Sequence, residues 1–139
     1  MKNKLILVIF AILSLVLITG CGSKNNVRVE IMNSLTGTWE YQINKGYKSI
    51  KGIKSTYIFD KNYTFTFKNA TILSNGNEMT LTDLSGTYEL NMEDKKIILT
   101  FNNKEDSDGL TKELTYKYEE GKFYLNPDSE GNETYKKIK

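Results

Sequence analysis

From residue 35 onward the chain alternates apolar and polar positions with a period of two, the pattern of half-buried strands. Gly37, Trp39, Tyr41 and Ile43 share one face of a first strand, and Tyr57 with Phe59 one face of a second. Tyr63, Phe65 and Phe67 alternate with Thr64, Thr66 and Lys68 in a third strand that can run on to Leu73. Met79 and Leu81 mark a fourth, Asp83 interrupts it, and Tyr88 with Leu90 face together on a fifth. Ile97, Leu99 and Phe101 line a sixth, Leu114, Tyr116 and Tyr118 a seventh, and Phe123 with Leu125 an eighth. Thr134 to Ile138 offers a ninth that would close or cover an edge.

Polar turn residues separate these runs. Asp60-Lys61-Asn62, Met92 to Lys95 and Glu120-Gly121 are short connections, and Asn126 to Asn132 is a loop holding the only proline. Asn75-Gly76 suits a type I′ hairpin, whose two central residues both need positive φ. The pattern predicts an all-β fold without a helix of useful length. It is an antiparallel up-and-down meander of eight or nine strands, forming a barrel or a strongly curled sheet. Leu35 to Tyr41 is echoed by Leu84 to Leu90, and each copy is expected to open a strand. In a simple meander that puts Gly37 and Gly86 at the same end.

The N-terminus reads differently. Lys2 and Lys4 precede the run Leu5 to Ile18, in which only Ser14 is polar. A membrane-spanning helix needs about 20 apolar residues, so a cleaved export signal over residues 1–20 fits better. Leu17-Ile18-Thr19-Gly20-Cys21 resembles the lipobox of bacterial lipoproteins. That resemblance implies a diacylglyceryl group on Cys21, cleavage before it, and a protein held on the outer face of the cell membrane; the alternative is an uncleaved anchor or a free thiol. One acyl chain holds only marginally and two hold firmly. Residues 21–34 then form the lipidated cysteine and a tether. Gly22 to Asn26 is small and polar, and Val27 to Asn33 reads either as a short strand or as a helical turn.

Charge and composition narrow the function classes. The chain has 19 Lys+Arg against 17 Asp+Glu; without Lys2 and Lys4 the two signs balance, so a clustered basic surface for nucleic acid is not expected. Cys21 is the only cysteine and there is no histidine, which removes disulfides, His-ligated metals and the commonest general base. No cofactor, metal site or enzymatic activity is expected. The acidic stretch Asn102 to Gly109 fails as a calcium loop, because Lys104 and Thr115 stand where an EF-hand places carboxylates. A monomer is the expected state.

Gly37-Thr38-Trp39 looks like the Gly-x-Trp motif of lipocalin-like domains. Together with Gly86-Thr87-Tyr88 and Lys95-Lys96-Ile97-Ile98-Leu99-Thr100-Phe101, it is similar to lipocalin-like lipoproteins of Gram-positive bacteria. The resemblance covers about Leu35 to Leu125 and implies a barrel over residues 35–139, with Trp39 plugging its floor and the next loop at the open end. It also implies a basic residue from a late strand against Trp39. The only arginine, Arg28, precedes the motif, which leaves Lys136 or Lys137 for that part.

Candidate binding residues follow. By parity the aromatic side chains, including Tyr41, Tyr57, Phe65, Tyr88, Tyr116 and Tyr118, project to one side of the sheet. An eight-stranded barrel is just wide enough to be filled or to hold one small ligand. Lys45, Lys48, Lys51 and Lys54, at every third position from Asn44 to Ser55, would form a lid attracting an anionic ligand or membrane surface, or simply a solvated loop. The reading is a small, partly hydrophobic ligand bound by Tyr41, Tyr57, Phe65, Tyr88, Tyr116, Tyr118, Lys48 and Lys51, with Gly37, Trp39 and Gly86 structural. The alternative is a filled barrel acting as a cell-envelope interaction module.

Overall fold

A computed structural model describes residues 22–46, 48–102, 109–127 and 134–139. The expected export signal, Cys21 and most of the acidic stretch Asn102 to Gly109 lie outside them. Among the described residues one helix, α1 (Gly22–Leu35), precedes eight strands: β1 (Gly37–Ile43), β2 (Ile50–Phe59), β3 (Thr64–Leu73), β4 (Glu78–Asn91), β5 (Lys96–Phe101), β6 (Thr111–Glu119), β7 (Lys122–Leu125) and β8 (Lys136–Lys137). They form one sheet in the order β7-β6-β5-β4-β3-β2-β1-β8, every pair antiparallel. The Tyr135 N–H donates to the Leu125 carbonyl at 3.2 Å, bringing the two edges of the sheet together. The meander is thereby nearly closed into a barrel, which leaves few unpaired edges.

The register explains the core. Gly37, Phe59, Phe65, Gly86 and Phe101 lie in one row across five strands, and Trp39, Tyr57, Phe67 and Leu84 in the next. Alternation turns both rows inward. The rings of Phe65 and Phe101 meet edge to face over Gly86 at 5.1 Å, and Tyr57 contacts Phe67 at 4.7 Å and Phe59 at 5.7 Å. Leu90, Ile97, Leu99, Leu114 and Leu125 complete the buried interior.

The helix is the main departure from the alternation pattern. Val27, Val29 and Ile31 alternate as a strand would, yet they lie on α1, and the helix takes in the stretch read as a tether. Its reason is tertiary. Ile31 and Leu35, one helical turn apart, are buried with Met32 beside them, closing the end of the barrel at which β1 begins. Burying each such side chain contributes about 1.5–3 kcal/mol. Carbonyls of the last helical turn, which lack helical partners, are satisfied from outside. Thr36 donates to Met32 O through its N–H at 2.9 Å and its hydroxyl at 2.8 Å, Lys137 Nζ donates to Ser34 O at 2.8 Å, and Trp39 Nε1 to Leu35 O at 2.7 Å.

The fourth and fifth expected strands are a single strand, β4, and Asp83 sits within it on the solvent side, paired with Lys68 at 3.3 Å. A bulge near Ala70 and Thr80 absorbs the irregularity that reads as an interruption. The second Leu-Ser-Gly-Thr copy therefore lies inside a strand and does not open one. Gly37 and Gly86 still share a row, but β1 and β4 run in opposite directions through it.

Two turns differ as well. At Asn75-Gly76 only Gly76 has positive φ, and its N–H donates to Leu73 O at 2.9 Å; this is a three-residue loop with one left-handed glycine, and not a type I′ turn. Asn75 instead spends its side chain on the Asn77 N–H at 3.0 Å. The two-residue turn with both φ positive is Glu120-Gly121, at 52° and 77°. Tyr63, at φ 64°, belongs to the β2–β3 turn and is 40% exposed, unlike Phe65 and Phe67 expected on its face.

Candidate functional site

The two ends of the barrel are built differently. At the end covered by α1, two tyrosine hydroxyls find partners. The Tyr88 hydroxyl donates to the Asp60 carbonyl at 2.8 Å and touches Met32 Sδ at 3.4 Å. Tyr116 stacks on Phe123 at 5.2 Å, and the Tyr118 hydroxyl reaches Glu30 Oε2 at 3.4 Å. Trp39 lies against Phe123 at 5.5 Å, with Lys137 Nζ 5.8 Å from the centre of its ring. A basic residue from the last strand thus stands against this tryptophan, and burial pushes the Lys137 ammonium below its usual pKa. A shallow groove of about 200 Å³ between α1 and the floor is lined by Val27, Ile31, Met92, Lys95, Tyr116 and Tyr118.

Tyr88 has a measurable signature. Burial first, then the charges of Tyr63 and Asp60, push its pKa from the usual 10 up to about 12. The folded state favours the neutral phenol, so this contribution to stability is complete below pH 10 and is lost as pH rises from 10 through 12. Tyr88→Phe is expected to lower stability by about 1 kcal/mol at neutral pH through the lost hydrogen bond. It should also flatten the alkaline decline, as read by urea unfolding at a series of pH values. An equally steep decline in the variant would exonerate Tyr88.

At the opposite end no described element covers the interior. Tyr57 and Phe67 form the base, and Lys112 projects from the start of β6 so that its Nζ lies 6.0 Å from the Tyr57 ring centre and 5.9 Å from that of Phe67. Such a cation–π contact contributes about 0.5–1 kcal/mol at an exposed site. One step up the same face, Ser55 Oγ donates to Asn69 Oδ1 at 3.2 Å. The next step carries Ile43 and Ile53, paired across β1 and β2, with Thr71 and Met79 beyond. Ile43, Ile53 and, beyond the β4 bulge, Met79 are 37%, 41% and 51% exposed although the register sets them on the inner face, while Thr71 between Ile53 and Met79 is buried, so the upper interior is only partly filled. Leu81 and Leu110 add exposed apolar surface to this end.

The barrel wall is also notched here. β8 pairs only with Trp39 and Glu40 of β1, and beside the unpaired continuation lies a groove of about 480 Å³ lined by Glu40, Tyr41, Gln42, Asn44, Lys136 and Ile138, with Thr134. Tyr41 borders this notch and packs on Tyr135 at 5.7 Å.

The eight residues read as ligand-binding therefore separate. Tyr41, Tyr57, Lys48 and Lys51 lie toward the open end; Tyr116 and Tyr118 lie at the helix-covered end, where the buried Tyr88 also places its hydroxyl; Phe65 is packed in the core between. Lys51 and Lys54 stand on β2, not in a loop, and Lys54 forms an ion pair with Glu78. Lys112, Ser55 and Asn69 were not singled out by the sequence. Their signal is parity: Lys112 is in step with Leu114 and Tyr116, Ser55 with Tyr57, and Asn69 with Phe67.

Fold and site together define a nearly closed antiparallel barrel with one end plugged by a helix and the other carrying an amphiphilic mouth. No family model, curated protein or solved structure matches the chain.

Proposed function

We propose that this chain is a lipoprotein anchored through a diacylglyceryl Cys21 to the extracytoplasmic face of the cell membrane. In this reading its barrel holds a small, partly hydrophobic ligand, without chemistry of its own. The carrying observation is the asymmetry of the barrel. The helix-covered end is packed, with the Tyr88 and Tyr118 hydroxyls partnered, whereas Ile43, Ile53 and Met79 stay exposed at the other. An apolar and aromatic lining with a few placed polar groups is the usual makeup of a small-molecule site. The ligand sits in the mouth above Tyr57 and Phe67, because below them Phe59, Phe65 and Tyr88 leave no room. The anchor reading is supported by the short apolar run and the lipobox-like Leu17 to Cys21.

A second reading, an envelope interaction module with a filled core, draws on β4. Among the described residues, Glu78 to Leu84 pair through β3 alone, the Ser85 carbonyl already accepting from the Asn102 N–H at 2.8 Å, so this stretch keeps one open edge with Met79 and Leu81 exposed on it. An added strand from another protein is the natural partner for such an edge.

Native mass spectrometry of the full chain released from detergent separates the two. The binding reading expects a co-purifying small molecule, or a rise in melting temperature with some member of a panel of amphipathic compounds. Absence of both would sink it and favour the interaction module. The same preparation tests the anchor, since incorporation of labelled palmitate should disappear in Cys21→Ser.

A further inference from the structure

We propose that the mouth selects amphiphiles with an anionic head, a carboxylate or a phosphate, and that Lys112 is the residue that reads the charge. This rests on the mouth-binding reading and adds the ligand's chemical class.

The mouth is built in layers. Deepest in the mouth, the Lys112 ammonium is held 5.9–6.0 Å over two aromatic faces, and among the described residues it has no carboxylate partner. Four other lysines of the sheet, Lys54, Lys68, Lys96 and Lys117, each pair with an acid. An ammonium resting on ring faces keeps donors available, and a charge-assisted hydrogen bond to an anion is stronger than the contact with the rings. The next layer is polar. Ser55 donates to the Asn69 carbonyl oxygen, so the Asn69 amide nitrogen remains a donor on the face that an entering head group meets. The outermost layer is largely apolar, with Ile43, Ile53 and Met79 exposed around a buried Thr71. A ligand matching all three layers enters head first and leaves a short hydrocarbon tail along the wall of β1, β2, β3 and β4. A neutral or cationic head would leave Lys112 uncompensated or repelled.

The test is calorimetric titration of the full chain in phospholipid nanodiscs, with empty discs as the blank and octanoate, octyl phosphate and 1-octanol as probes. Octanoate or octyl phosphate should bind at least tenfold more tightly than octanol, and whichever is tighter distinguishes carboxylate from phosphate. Lys112→Met should remove that preference, weakening the anion about tenfold or more while leaving octanol within threefold. Lys112→Arg should retain most of the preference. Equal loss of octanoate and octanol in Lys112→Met would assign the lysine a merely structural role and overturn the proposal. Equal affinity of the unaltered chain for octanoate and octanol would overturn it while leaving the mouth as a binding site. No binding of any probe would overturn the mouth reading itself. Circular dichroism monitors folding, and Lys112→Gln repeats the comparison should Lys112→Met unfold.

Discussion

Replacing Trp39 with alanine will destabilise the folded protein by about 3–5 kcal/mol, the usual range for removing a large buried ring. Three losses coincide at this position. The indole is only 2% exposed, so its removal leaves a cavity beside Phe123 that the floor cannot fill without moving α1. Its Nε1 donor satisfies Leu35 O at the end of the helix, and that carbonyl becomes unpartnered. Lys137, held over the ring and bonded to Ser34 O, loses the surface on which it lies. Trp39→Phe keeps most of the packing and drops the indole hydrogen bond, so about 1–2 kcal/mol is expected. Urea unfolding followed by circular dichroism makes the comparison, since fluorescence loses its only tryptophan in both variants. Equal losses in the two would show that packing contributes little and that the contact with Leu35 dominates.

Gly86→Val is the second large effect. A Cβ at this position would overlap the Thr100 carbonyl oxygen on β5 and come within 2.9 Å of Phe65 Cε1. The first obstacle is backbone, so it cannot rotate away, and the second is a ring packed edge to face on Phe101. Overfilling a packed interior usually amounts to about 1–3 kcal/mol, and the spread of β4 from β5 needed here puts the upper end of that range as the expected loss. Gly86→Ala should follow in the same direction with a smaller value. Ser85→Ala, one residue away on the exposed face, is the control and should stay within about 0.5 kcal/mol. A melting temperature for Gly86→Val indistinguishable from that of Ser85→Ala would mean that the row through Gly86 is not close-packed.

These variants show why the echo of Leu35 to Tyr41 at Leu84 to Leu90 misleads as an organisational repeat yet marks two positions that matter. Both glycines lie in the row Gly37, Phe59, Phe65, Gly86 and Phe101. Gly86 makes room for two phenyl rings. Gly37 has φ 128° at the exit from α1, where a Cβ would overlap the Lys139 carbonyl oxygen. Similar local sequences serve two different needs for the absence of a side chain.

Period-two alternation was sufficient for the strands, because whether a side chain faces inward along a strand is a local property and survives in the sequence as every second residue. It carried β1, β5, β6 and β7 with their inward faces and the all-β meander as a whole. It also held the positions of Lys112, Ser55 and Asn69, whose polarity disguised them among apolar neighbours. Tertiary structure alone decided the rest. Val27 to Leu35 carries signals for both strand and helix, and the open floor of the barrel selects the helix by burying Ile31 and Leu35. Asp83 reads as a break until a neighbouring strand supplies Lys68 and a bulge takes up the extra residue. The separation of the binding candidates between two ends is likewise non-local. Parity places Tyr57 and Tyr116 on the inner face, but only the register of strands far apart in the chain, and the helix covering one end, determine that one lies beneath an open mouth and the other against a closed floor.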